Sequence, residues 1–176
     1  MSSRFIHLHL HTEFSLADST IRVPEKPDEA RPEKAKRPNL LSRAVEMKLP
    51  ALAVTDRNNL FALIKFYKSA ESIGIKPIAG ADLSIVDGKE SPWQLTLLCR
   101  DHVGYLSLSR LLTRAWMEGH HLEGVAITPQ WLAEDCEGLF AIAGRNSFAG
   151  RLAAGGRHEL AEQHLADLQR SFGENL

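Results

Sequence analysis

The sequence predicts an α/β fold in which parallel strands are joined by helical crossovers. From Ala51 onward, short runs of β-forming residues alternate with longer runs that show a helical period of apolar residues. The run 51–56 is apolar until its last two residues, as expected for a strand that is buried on both faces. This alternation is compatible with an open layered sheet or with a closed barrel.

The individual elements follow from periodicity and from capping residues. Segments with the length and composition of strands are 5–10, 51–56, 78–86, 95–99 and 139–143. Segments with a helical apolar period are 60–73, about 103–117, and 158–172. We expect Ile64 and Tyr67 on the inner face of the first of these helices, and Leu106 on that of the second. Two further helices should begin at Asn39 and Thr128, because both residue types cap helix N-termini.

The segment 24–38 differs from the rest of the chain in composition. It contains four prolines within a dense mixture of acidic and basic residues. Prolines at this density oppose regular structure, and the charges oppose burial. We therefore expect an exposed insertion loop within a single domain that comprises residues 1–176.

The overall composition is that of an ordinary globular domain. Of 176 residues, 44% are hydrophobic and 24% are charged, and the formal net charge is -1. This balance argues against a domain that holds nucleic acid by charge alone, although it leaves room for a local basic patch. No run is long and apolar enough for a membrane span, and Cys99 and Cys136 form no CxxC pair. We therefore expect a soluble cytoplasmic protein with free thiols.

His9 and His11 are the first candidates for a functional site. On a strand, residues i and i+2 point to the same face, so the two imidazoles can share a metal ion or hold two adjacent ions. Both lie toward the C-terminal end of the first predicted strand, and ligands bind at this end of a parallel sheet. An HxH pair is also compatible with ordinary surface or core histidines.

Two aspartates are candidates for the same site. Asp56 ends the second predicted strand, and Asp82 lies in the third. Carboxylates beside imidazoles are a common ligand set for zinc, manganese or iron in hydrolytic sites. Asp56 is equally compatible with a cap on the following turn, where Asn58 and Asn59 are typical turn residues. Asp82 is equally compatible with a solvent-facing carboxylate on a strand.

Several of these residues fall into motifs that resemble those of a known family. The stretch 5–18, FIHLHLHTEFSLAD, resembles a first motif with the pattern HxHTxYSxxD. The stretch 49–60, LPALAVTDRNNL, resembles a second motif with the pattern TDHGN, and 66–68 and 74–82 resemble the segments that lead to a third. In this order, the motifs resemble the polymerase-and-histidinol-phosphatase (PHP) family, in the form found in bacterial replicative DNA polymerases.

The resemblance implies a distorted (β/α)7 barrel of the PHP type. This chain would form part of such a barrel and would be truncated at its C-terminal end. A later strand that carries further metal ligands, and the polymerase module itself, would then lie outside it.

The resemblance also implies a metal site in this part of the barrel. The expected ligands are His9, His11, Asp18 and Asp82, and the last of these stands where the family has a glutamate. Zinc or manganese would be the cofactor if the site were still active.

Other ligand positions of the family are substituted in this chain. Arg57 and Gln94 stand where histidines are expected, and Arg145 stands where a cysteine or histidine is expected. Arginine keeps its proton near neutral pH and cannot ligate a cation. We therefore expect both arginines to pair with the carboxylates of the site, which Asp56 also lines. The site is predicted to be degenerate and to hold no cofactor.

For the function, the resemblance implies a structural domain of a replicative DNA polymerase. It would dock the proofreading exonuclease subunit within the polymerase III core and would meet DNA through the parent polymerase. An active metal-dependent phosphoesterase or 3′–5′ exonuclease is the main alternative. A free-standing phosphatase of small metabolites is a third, and the polymerase-like stretches 66–68 and 74–77 argue against it.

Overall fold

The structure, a computed structural model, describes residues 5–16, 18–88, 91–121 and 124–176. The chain divides into two units, Met1–Gly80 and Ala81–Leu176. No helix in the described part of the chain is long and apolar enough to cross a membrane.

The main elements occur in the predicted order. The strands are β1 (Ala51–Arg57), β2 (Lys76–Ile85), β3 (Trp93–Cys99), β4 (His120–His121), β5 (Gly124–Val125) and β6 (Leu139–Ile142). The α-helices are α1 (Leu40–Glu46), α2 (Leu63–Glu71), α3 (His102–Glu118), α4 (Pro129–Glu134), α5 (Phe148–Ala154) and α6 (His158–Phe172). Short 3-10 helices cover Glu13–Ser15, Pro27–Ala30 and Gly173–Asn175. The sequence pattern predicts neither α5 nor the β4–β5 hairpin.

The sheet is mixed rather than parallel. Its four strands lie in the order β1-β2-β3-β6, and β4 pairs with β5 separately. β6 runs antiparallel to β3, with Thr96 opposite Ile142 and Cys99 opposite Leu139. The predicted α/β class is confirmed, but the prediction of parallel strands is wrong for this pair. Two helices, α3 and α4, separate β3 from β6, whereas parallel pairing is typical of a single helical crossover.

In the first unit, the segment 5–10 accompanies β1 without forming a regular strand. A parallel bridge joins His7 to Leu52, and the Thr55 amide donates to the Leu10 carbonyl at 2.8 Å. The Leu10 amide donates to the Thr55 hydroxyl at 2.8 Å, so this amide bonds to a side chain and not to a main-chain carbonyl of β1. The segment therefore runs parallel to β1 but lacks the continuous main-chain pairing of a strand, and the predicted strand is wrong.

The helices α1 and α2 pack by one face each into the interior of the first unit. α1 begins at Asn39, as predicted, because the Asn39 side chain accepts from the Ser42 amide at 3.0 Å. On α2, Phe66 is fully buried. Ile64 and Tyr67, however, are 64% and 45% exposed, so their predicted inner positions are wrong.

The insertion 24–38 is exposed over most of its length but contains a buried turn. Within the 3-10 helix Pro27–Ala30, the Ala30 side chain is 0% exposed and packs with residues of α1 and α2. The Asn39 side-chain amide donates to the Glu29 carbonyl at 2.7 Å. The expectation of an irregular and exposed loop is wrong at this turn, because a methyl side chain carries no charge that opposes burial.

The second unit packs α3 against β3 and β6. Leu108 of α3 is fully buried, whereas Leu106, which the helical period places inside, is exposed. The helix begins at Asp101, whose carboxylate accepts from the Gly104 amide at 3.0 Å. A Cβ atom on Gly104 would lie 1.9 Å from the Gly138 carbonyl oxygen, so this close approach requires glycine.

The C-terminal helices of the second unit follow from their capping residues. Thr128 caps α4 as predicted, and α6 covers the predicted range His158–Phe172. α5 begins after Ser147, whose hydroxyl accepts from the Gly150 amide at 3.0 Å. This serine was the available sequence signal for α5. Both cysteines of the unit are free, as predicted.

Replacement of the buried alanine in the insertion tests whether this turn belongs to the interior. Ala30→Glu should destabilise the fold by at least about 2 kcal/mol, because it buries an unpaired carboxylate. The matched control is Lys36→Glu, which introduces the same side chain at an exposed position of the same segment. The measurement is urea unfolding of both variants. Equal unfolding midpoints would show that the insertion does not pack against the helices.

Candidate functional site

The candidate site begins with a buried carboxylate at the end of β1. Asp56 is 1% exposed. Its Oδ1 accepts from the Thr12 amide and from the Ser15 hydroxyl, both at 2.6 Å, and its Oδ2 accepts from the Thr12 hydroxyl at 2.7 Å. These bonds attach the segment that follows His11 to β1.

The energetics of these bonds assign Asp56 a positioning role. A hydrogen bond to a charged group contributes roughly 1.5–3 kcal/mol, and a buried carboxylate is tolerated only when it is bonded in this way. The turn after β1 is closed by a different residue, since the Asn59 side-chain amide donates to the carbonyls of Phe14 and Arg57 at 3.1 and 2.9 Å. The alternative of a cap on this turn is therefore wrong for Asp56, and its place in the lining of a metal site stays a prediction.

The two histidines lie on one side of the chain, as the i, i+2 spacing predicts. The ring centroids of His9 and His11 are 4.8 Å apart, with the ring planes at 65°. His9 is exposed and His11 is half-buried. Their nitrogens are therefore close enough to serve one ligand.

Asp18 contacts both His11 and Arg57. Its Oδ2 lies 2.5 Å from His11 Nδ1 and 3.9 Å from Arg57 Nη1. The predicted pairing of Arg57 with an acidic residue of the site is confirmed for Asp18. A carboxylate at Nδ1 favours the tautomer that carries its proton on that ring nitrogen.

Asp82 is a buried residue of β2. It is 3% exposed, and its Oδ1 accepts from the Thr96 hydroxyl of β3 at 3.1 Å. The alternative of a solvent-facing carboxylate is therefore wrong. His9 and His11 belong to the first unit and Asp82 to the second, so the role of Asp82 as a ligand beside them stays a prediction.

Gln94 and Arg145 occupy neighbouring segments of the second unit. The Gln94 amide donates to the Asn146 carbonyl at 3.0 Å, and the Asn146 side chain donates to Gln94 Oε1 at 3.2 Å. Arg145 is exposed, and it makes no ion pair with a carboxylate among the described residues. Its pairing with a carboxylate of the site stays a prediction.

Thr12 and Ser15 are the site residues that the sequence analysis misses. Both are buried, and both donate hydroxyl protons to Asp56. A signal for them was present, since a carboxylate at the end of a buried strand requires hydrogen-bond donors, and the first motif contains these two hydroxyl side chains. Their partner, however, lies more than 40 residues away in sequence.

The chain belongs to the PHP domain family, whose sequence profile matches residues 7–176. It is 65% identical over 99% of its length to DNA polymerase III subunit alpha from Xylella fastidiosa strain Temecula1. It is 38% identical over 100% of its length to the same subunit from Pseudomonas aeruginosa, and 34% identical over 96% to that from Escherichia coli O6:H1. The chain spans 15%, 14% and 14% of these relatives, respectively.

Solved structures show a weaker likeness. An amidohydrolase from Chromobacterium violaceum aligns with a TM-score of 0.42 and 21% identity, covering 62% of this chain and 32% of that chain. This likeness is too low to support a conclusion about fold or activity. The family assignment therefore depends on the sequence matches.

Removal of one acceptor from the buried carboxylate tests its positioning role. Asp56→Asn should destabilise the fold by about 2–3 kcal/mol, because it leaves donors of Thr12 or Ser15 without a partner. Asp28→Asn, in which an exposed aspartate undergoes the same change, is the matched control. Thermal and urea unfolding would report the difference. A neutral effect of Asp56→Asn would contradict the assigned role.

Proposed function

We propose that this chain is the PHP domain of the alpha subunit of a bacterial DNA polymerase III, in which it serves as a structural domain. The observation that carries this proposal is the 65% identity to the Xylella subunit over 99% of the chain. Matches to the Pseudomonas and Escherichia subunits also extend over nearly the whole chain. The parent subunit would be the DNA-directed DNA polymerase, a nucleotidyltransferase, and this domain would not itself transfer nucleotides.

In this proposal the domain forms part of a distorted (β/α)7 barrel and docks the proofreading exonuclease subunit of the polymerase core. DNA is reached through the parent polymerase. Support for docking comes from apolar side chains that have the helical spacing of interior residues but are exposed: Ile64 and Tyr67 on α2, and Leu106 on α3. Exposed apolar groups of this kind are typical of surfaces that partners cover.

The metal site of the domain is proposed to be degenerate. The Arg57 guanidinium lies 3.9 Å from Asp18, so a fixed positive charge stands near a carboxylate that the family uses for a cation. Asp56 accepts three hydrogen bonds from Thr12 and Ser15. Two carboxylates of the site therefore have protein partners, which supports a structural role over hydrolysis.

A chimeric polymerase tests the structural role. In it, the stretch of the Xylella fastidiosa alpha subunit that matches this chain is replaced by the chain itself. We expect the chimera to polymerise DNA and to co-elute with the exonuclease subunit in gel filtration, because the chain is 65% identical to the stretch that it replaces. A second chimera with Leu41→Asp, which places a charge in the interior, should lose both properties.

The outcomes of this experiment separate the two parts of the proposal. A folded chimera without polymerase activity would contradict the assignment to this subunit. A chimera that polymerises DNA and elutes without the exonuclease would contradict the docking role alone. Near-ultraviolet circular dichroism of the purified chimera would establish that it is folded.

A second candidate function is metal-dependent phosphoester hydrolysis at a single-ion site. The ring centroids of His9 and His11 lie 4.8 Å apart, which favours it, with Asp82 as the proposed third ligand. Two imidazole nitrogens and a carboxylate oxygen are suitable donors for zinc or manganese, and a bound ion would supply Lewis acidity. In such a site, Asp18 would orient His11 through Nδ1 rather than bind the ion.

Metal titration distinguishes the two candidates. With zinc and with manganese, calorimetry of the chain should show at most one ion per chain and no cleavage of single-stranded DNA. His9→Ala should abolish any binding, whereas His102→Ala, at an exposed position on α3, should not change it. Binding of two or more ions, or DNA cleavage that His9→Ala removes, would overturn the degenerate site and favour the enzyme. Absence of any stoichiometric ion would overturn the single-ion candidate.

A further inference from the structure

A groove in the first unit combines basic and apolar side chains, with no acidic residue among its described lining. Its volume is about 520 Å³, which lies within the range of ligand sites. The basic lining residues are Arg22, Arg37 and Arg43, and the apolar ones are Ile21, Pro38 and Leu40. Arg37 and Pro38 come from the end of the charged insertion, to which the proposed function assigns no role.

Main-chain hydrogen bonds hold the segments of the groove together. The Leu40 amide donates to the Arg22 carbonyl at 2.8 Å, and the Glu13 amide donates to the Ile21 carbonyl at 2.8 Å. The cap at Asn39 fixes the start of α1 beside them. The groove is therefore preformed in the folded unit, and only its long side chains need to reorient.

The positive charges of the groove are accessible and only partly neutralised. Arg43 bonds to Glu46 at 2.7 Å, and Arg22 lies 3.9 Å from Glu13, yet the two arginine side chains remain 63% and 62% exposed. Neither glutamate lines the groove. Arg37 makes no ion pair with any carboxylate in the described ranges. Each guanidinium has more donors than one carboxylate occupies, so donors remain for an external anion.

The chemistry of this lining indicates a phosphate ligand with apolar neighbours. The guanidinium fork matches the geometry of phosphate oxygens, and hydrocarbon groups such as those of Ile21 and Leu40 suit sugars and bases. Sites for small molecules bury most of the ligand surface. A groove whose arginine side chains are mostly exposed does not enclose a small molecule in this way. It instead fits an extended polymer that passes through it.

We propose that this groove binds the phosphodiester backbone of single-stranded nucleic acid. The described lining contains no aromatic side chain for stacking, so binding depends on the backbone and tolerates any base sequence. The net charge of -1 makes the attraction local to the groove rather than general to the chain. This inference does not rest on the proposed polymerase function.

Fluorescence anisotropy with a labelled oligo(dT) tests the groove. The probe is fluorescein-labelled and about 12 nucleotides long, within the span that single-strand binding modules cover. With the whole 176-residue chain at low salt, Arg22→Ala and Arg37→Ala should each weaken binding at least about threefold. Each variant should also lower the slope of log affinity against log salt by about 0.7, the value for one phosphate contact on a single strand.

The matched control is Arg151→Ala, which removes an exposed arginine of α5 in the second unit and should leave binding unchanged. Melting temperatures of all variants would show that they remain folded. The proposal is overturned if the wild-type chain does not bind the probe, or if Arg151→Ala weakens binding as much as the groove variants. It is also overturned if dTTP displaces the probe at the concentration at which unlabelled oligo(dT) does, since the groove would then be a nucleotide pocket.

Discussion

The buried carboxylate of Asp56 is the interaction on which the candidate site depends. It receives the amide and hydroxyl of Thr12 and the hydroxyl of Ser15, and thereby holds the segment after His11 against the end of β1. A charge this deeply buried is stable only while these donors are in place, and the segment keeps its position only while the charge is there. Asp56 therefore sets the geometry of the site by holding the segment that follows the two histidines.

A second set of contacts determines the charge of the site. Asp18 is shared between the His11 imidazole and the Arg57 guanidinium, so the protein itself places a positive charge beside this carboxylate. The same carboxylate orients the His11 ring, because it lies at the Nδ1 nitrogen. The two proposed functions, a structural domain and a metal-dependent phosphoesterase, differ in whether this site holds a metal ion.

Elements with local signals could be predicted, whereas positions that depend on a partner surface could not. The cap at Asn39 and the extent of α6 follow from residues within one or two turns, and both are confirmed. Ile64 and Leu106 have interior spacing but lie exposed, because periodicity specifies a face and not what covers it. The antiparallel direction of β6 relative to β3 could not be predicted either, because the two strands are connected through two helices and not through a single helical crossover.

The sequence by itself determined the family, the shared side of His9 and His11, and the residue types at the substituted ligand positions. These are local properties of a motif and of a two-residue backbone period. Only the tertiary structure decided that Asp56 binds a segment 44 residues away in sequence and that Arg145 faces solvent. The physical reason is that the partners of a buried charge are selected by the packing of distant segments, which no local pattern records.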